Sequence, residues 1–131
     1  MQQRIEPDPE ALSRPVRPLI GILTQPVTDA KKTEGYDFDE YILAVNYDFV
    51  KLTGSEPVYI SYLSDTPEDH QRLMDTLEQI NGVLFTGGNL TLVDKETGEQ
   101  HPYYRTSKKI IDYSRKQKDQ HNIDFPLLCV C

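Results

Sequence analysis

Phe125-Pro126-Leu127-Leu128-Cys129-Val130-Cys131 closes the 131-residue sequence. So apolar a run predicts a strand over about 125–130, buried on both faces as strands in the middle of a parallel sheet are. Three earlier runs share its character: Pro18-Leu19-Ile20-Gly21-Ile22-Leu23-Thr24 (18–24), Pro57-Val58-Tyr59-Ile60-Ser61-Tyr62 (57–62) and Gly82-Val83-Leu84-Phe85-Thr86 (82–86). Each is short, β-branched or aromatic, and bracketed by Pro or Gly.

Helical patterns separate the strands. Between the first two, residues 39–53 carry Tyr41, Ile42, Val45, Phe49, Val50 and Leu52 at helical spacing, and Gly54 is a natural stop. Thr66 to Ile80 opens with a capping Thr66, Pro67 at the first helical position and acidic Glu68 and Asp69, then runs an apolar stripe of Leu73, Leu77 and Ile80. Roughly Tyr103 to Gln120 forms a third helix, with Ile110, Ile111 and Ser114 on its buried side. The pattern β-α-β-α-β-α-β implies right-handed crossovers and an α/β fold: a flavodoxin-like parallel sheet with helices on both faces and strand order 2-1-3-4. The connections from Gln25 to Phe38 and from Asn89 to Pro102 are longer than the topology needs. Both follow the C-terminal ends of strands, where open α/β sheets bind ligands.

The length allows one domain, 17–131, after a lead-in at 1–16 that we expect to be disordered or extended. With 21 acidic against 14 basic residues the net charge is −7, which disfavours nucleic acid or an anionic membrane as partner. No apolar stretch is long enough for a membrane span, and the N-terminus lacks the apolar region of a secretory signal. Cys129 and Cys131 stand too close for an unstrained disulfide within a strand. His70, His101 and His121 lack ligand spacing and read as solvated surface residues. Neither metal nor cofactor is expected.

Two features carry chemistry. Gly87-Gly88 after a buried strand is either a plain tight turn or a backbone N–H aimed at a developing negative charge. Cys131 is either a buried core cysteine or a thiol nucleophile at the end of a strand. If strands three and four are neighbours, their C-terminal ends bring Gly88 and Cys131 together, as acyl transfer requires.

Four segments resemble the γ-glutamyl hydrolases. Pro18-Leu-Ile-Gly-Ile-Leu-Thr-Gln25 is similar to their opening strand. Tyr41-Ile-Leu-Ala-Val-Asn-Tyr47 is similar to the start of their first helix. Ile80-Asn-Gly-Val-Leu-Phe-Thr-Gly-Gly88 resembles the strand before their oxyanion glycines, and Phe125–Cys131 resembles the strand leading to their catalytic cysteine. The likeness runs collinearly from about Arg17 to Cys131; the Ile80–Gly88 block is its most specific part.

This resemblance implies the class I glutamine amidotransferase-like fold of peptidase family C26. The implied reaction is cysteine-dependent hydrolysis of γ-glutamyl bonds in folyl poly-γ-glutamates, a small-molecule substrate. Cys131 takes the nucleophile's place, Gly88 the oxyanion N–H and Gly87 the turn. A substrate-side tyrosine of the family falls at Asn46, with Tyr47 one residue away. The family's Gly two residues before the nucleophile is Cys129 in this chain. The resemblance also implies a secreted, lysosomal or vacuolar protein, although no signal segment is visible.

Because the sequence stops at Cys131, we expect the N-terminal part of a hydrolase. Alone it would be inactive, and one face or edge of its sheet would need covering. Two other readings stay open: a degenerate, non-catalytic component of a larger assembly, whose protein partner covers the open sheet, and the glutaminase domain of an amidotransferase.

Overall fold

The computed structural model describes residues 16–131, so all but the last residue of the expected lead-in lies outside the described residues. In chain order the elements are β1 (Leu19–Leu23), β2 (Gln25–Pro26), α1 (Asp29–Thr33), β3 (Glu40–Tyr41), α2 (Ala44–Leu52), β4 (Glu56–Ile60), α3 (Pro67–Gln79), β5 (Gly82–Phe85), α4 (Pro102–His121) and β6 (Leu127–Cys129). The four main strands pair in parallel in the order β4-β1-β5-β6. This is the flavodoxin-like order expected from the alternation of strands and helices.

Period-two alternation divides the sheet's side chains between two layers. Leu23, Ile60, Val83 and Phe85 face α3 and α4, packing with Leu73, Leu77, Ile110 and Phe125 into the main core. Ile22 and Leu84 face the other way and meet only Val50 of α2 among buried residues. Beside α2 this second face stays open as an apolar groove of about 370 Å³ over Ile20, Leu84, Pro126 and Leu128.

Local chemistry sets most boundaries. Thr66 Oγ1 accepts from Asp69 N at 3.1 Å and Pro67 leads α3, so the predicted cap forms. Asn122, at φ 52°, ends α4 in a left-handed cap. A chain of hydroxyls locks α4 to the loop after β4. Thr106 Oγ1 donates to Tyr62 O at 2.6 Å, which leaves Ser64 Oγ as the donor in its 2.5 Å contact with Thr106. Both side chains are fully buried, so each unmade bond would carry the full desolvation cost.

The structure corrects three expectations. β6 is not buried on both faces: Leu128 is 51% exposed, and Cys129 and Val130 are exposed too. Among the described residues it is the outermost strand of the sheet, paired with β5 on one side. The helix expected from Asp39 begins at Ala44 as α2, because residues 40–41 pair antiparallel with Gln25–Pro26 and their backbone is already committed to that ladder. On α4 Ile110 is buried but Ile111 is 37% exposed; neighbours on a helix point about 100° apart, and only one of the pair meets the sheet. No helix among the described residues is long and apolar enough to cross a membrane.

A Cβ on Gly82 would lie 2.8 Å from the backbone oxygen of Pro126, which cannot swing aside as a side chain can. Gly82→Ala should destabilise the protein by about 1–3 kcal/mol in denaturant unfolding. It should also speed hydrogen exchange at Val83, whose N–H donates to Pro126 O at 3.1 Å.

Candidate active site

β5 and β6, paired in parallel, bring their C-terminal ends to one rim. Phe85 pairs with Cys129, and Val130 N donates to Phe85 O at 3.0 Å. Two residues further along the same register, Gly87 faces Cys131. A Cβ on Gly87 would lie 2.9 Å from Val130 O and 3.2 Å from Cys131 Cα. Gly88 is crowded from the opposite side, where a Cβ would meet Gln25 Oε1 at 2.5 Å and Nε2 at 2.9 Å. Neither glycine has a positive φ; among the described residues Gly35, Gly54 and Gly98 do. Neither is glycine for a left-handed turn; at Gly87 backbone leaves no room for a Cβ, and at Gly88 a Cβ would displace the Gln25 carboxamide.

Gln25 is the functional neighbour that sequence reasoning missed. It figured there only as the start of the long connection after the first strand and the last residue of the block that resembles the family's opening strand. In the structure it is buried, and its Nε2 donates to Thr86 O at 2.9 Å, Thr86 Oγ1 at 3.1 Å and Gly87 O at 3.1 Å. A polar side chain directly after a buried strand, at the rim where ligands bind, was the available signal. Tyr103 on α4 reaches the same Thr86 O through its hydroxyl at 3.5 Å. Glu40 accepts from Thr24 Oγ1 and from Ser61 Oγ at 2.9 Å, tying β3 to the ends of β1 and β4.

Both long connections have structure of their own. The first is the β2-α1-β3 flap, closed by Val27 N donating to Asp39 O at 2.8 Å. The second folds back through a bridge between Val93 and Gln100. Between the flap and the Gly88 turn lies a cleft of about 280 Å³ lined by Gln25, Thr28, Lys31, Tyr41, Asn89 and Leu90. Lys31 Nζ donates to Tyr41 OH at 2.7 Å and lies 4.0 Å from the centre of that ring, giving the cleft a fixed cation.

The remaining sequence candidates fall elsewhere. Asn46 and Tyr47 lie in the first turn of α2, both half-buried. The Tyr47 ring sits 6.4 Å from Tyr59 on β4, the edge strand furthest from β6. Cys129 and Cys131 are free and exposed. Among the described residues no cluster of three His, Cys, Asp or Glu side chains could hold a metal.

His70 and His121 are exposed, but His101 departs from the surface role expected of it. It is half-buried, caps α4 by accepting from Tyr103 N through Nδ1 at 3.1 Å, and stacks on Tyr62 with ring centres 6.0 Å apart. Burial, and then the nearby Arg105 cation, hold its pKa below the ordinary histidine value. With Nδ1 occupied as an acceptor, it is a structural cap rather than a base for Cys131.

The family model of peptidase C26 matches residues 18–131. Gamma-glutamyl hydrolase 1 of Arabidopsis thaliana is 29% identical over 126 residues, covering 95% of this chain and 32% of the relative. Gamma-glutamyl hydrolase B of Dictyostelium discoideum is 36% identical over 96 residues, covering 73% of this chain and 24% of the relative. The chain thus spans about a third or less of the length of these curated relatives. No solved structure gives a significant match.

The lowered pKa of His101 makes stability depend on pH. A histidine depressed in the folded state contributes stability that is present above its unfolded pKa, about 6.5. That contribution is lost as pH falls toward the folded value. Unfolding midpoints should therefore drop between pH 7.5 and 5.5, and His101→Ser, which keeps a capping oxygen without a titrating ring, should shrink that drop.

Proposed function

The chain belongs to the peptidase C26 family, and from that premise we propose that it supplies the nucleophile and an oxyanion donor of a cysteine hydrolase acting on γ-glutamyl bonds in folyl poly-γ-glutamates. The observation that carries this reading is how near Gly87 runs to the Cys131 backbone: a Cβ there would lie 3.2 Å from Cys131 Cα. That nearness supports a thiol and a side-chain-free amide turn acting on one substrate.

In this reading Cys131 Sγ, as thiolate, attacks the γ-amide carbonyl carbon. The C=O electrons move to oxygen, and the resulting oxyanion accepts from Gly88 N–H. Collapse expels the amine, which takes a proton, and leaves a γ-glutamyl thioester that water hydrolyses to free the thiol. The base belongs to sequence outside these residues: His70 and His121 are exposed, and His101 is engaged as a helix cap. The chain by itself is then inactive, and the remaining length seen in its relatives completes the site. The open groove over Leu84 and Leu128 favours a second reading, a non-catalytic hydrolase-like component whose sheet is covered by a partner.

The test is Cys131→Ala in a polypeptide that joins this chain to the remaining length of its relatives. Chromatography of folyl tri-γ-glutamate digests should show hydrolysis reduced at least about 10⁴-fold, whereas Cys129→Ala should keep it. Hydrolysis surviving in Cys131→Ala would overturn the nucleophile assignment. Absence of hydrolysis in the unaltered polypeptide would support the non-catalytic reading.

A further inference from the structure

Carbonyls along a β-strand alternate between its two neighbours. Phe85 O points to the β6 side, since it accepts from Val130 N. Thr86 O then points to the β1 side, where Gln25 takes it. Continued alternation would send Gly87 O back toward β6 and the next N–H, that of Gly88, toward β1. β5 ends at Phe85, and past it the pattern is not kept. Gln25 stands just past β1, yet its Nε2 holds Gly87 O as well as Thr86 O, at 3.1 and 2.9 Å. Two successive carbonyls therefore face the same side.

A trans peptide carries its C=O and N–H on opposite edges. With Gly87 O held on the β1 side, the Gly88 N–H is turned toward β6, the side on which Cys131 lies. We infer that Gln25 is a positioning residue that turns the Gly87–Gly88 peptide so that its N–H, not its C=O, faces the nucleophile strand. This rests on the reading of Cys131 and Gly88 given above and adds to it the part that sets the donor.

The chemistry suits a carboxamide. Facing carbonyl oxygens, Gln25 must present N–H groups, and its two are shared among three acceptors. The amide is neutral, so it orients the peptide without adding a charge that would compete with a developing oxyanion. The carboxamide also occupies the space a Cβ on Gly88 would need, so a side chain there would have to displace it. Released from Gln25, the peptide is free to resume alternation. A carbonyl dipole would then face the thiolate, and the donor would be lost.

The experiment uses the same complete polypeptide and folyl tri-γ-glutamate, with Gln25→Ala and Gln25→Glu beside Cys131→Ala. Gln25→Ala should lower kcat about 10²–10³-fold, the loss seen when one oxyanion donor goes, and leave KM within about threefold. Alkylation of Cys131 by iodoacetamide, read by peptide mass, forms no oxyanion and should proceed at the unaltered rate. Gln25→Glu nearly preserves size but donates only when protonated, so its deficit relative to the unaltered protein should narrow as pH falls.

An unaltered kcat in Gln25→Ala, with Cys131→Ala inactive, would overturn the positioning role and leave the nucleophile in place. Activity in all three variants would overturn the nucleophile reading itself. Equal losses in hydrolysis and alkylation, or a Gln25→Glu deficit independent of pH, would mark Gln25 as a packing residue and overturn the inference.

Discussion

The candidate site depends on how closely β6 runs against β5. At the lower end of that pair a Cβ on Gly82 would come within 2.8 Å of Pro126 O; at the upper end one on Gly87 would come within 2.9 Å of Val130 O. Between them, Val83 N donates to Pro126 O and Val130 N to Phe85 O. Glycines at both ends permit the approach, and the ladder fixes the register. A slip of one residue would turn Cys131 to the other face of the sheet. The placement of a single thiol is thus a property of backbone spacing, set well away from the thiol itself.

The same economy appears around the Gly88 turn. Every contact that shapes it comes from backbone or from uncharged side chains: Gln25, Thr86 and the Tyr103 hydroxyl. The charges lie further out, with Glu40 accepting hydroxyls at the β1 and β4 ends and Lys31 held against Tyr41. An arrangement of neutral dipoles stabilises charge that appears during a reaction without holding a charged group in place beforehand. Burial has a matching logic. The main core lies beneath α3 and α4, while the opposite layer is closed by α2 over only part of its width.

The architecture was legible because its determinants are local. Apolar runs bracketed by Pro and Gly marked all four main strands, and Thr66-Pro67-Glu68-Asp69 marked the start of α3. Alternation of strands with helices then fixed the order, and the order brought Gly87-Gly88 and Cys131 to one rim. What escaped reading was non-local. The exposure of β6 depends on which strand lies beyond it, and the late start of α2 depends on a pairing between Glu40–Tyr41 and Gln25–Pro26. The polar contacts of Gln25 reach across more than sixty positions, and no periodicity encodes those. The packing of the Tyr47 ring beside Tyr59 on β4 is likewise a contact between elements that no linear pattern shows.

Parallel pairing has one more result, in time rather than space. β1 joins β4 across the flap and α2, joins β5 across more chain still, and β5 reaches β6 only beyond α4. The main sheet has no hairpin to nucleate it, so every closure spends the entropy of a long loop, and folding is slow compared with that of helical proteins of this size. During synthesis β4, β1 and β5 leave the ribosome as a set that can pair before β6 emerges. Among the described strands the thiol-bearing one is then the last to pair, onto an edge of β5 that is already formed.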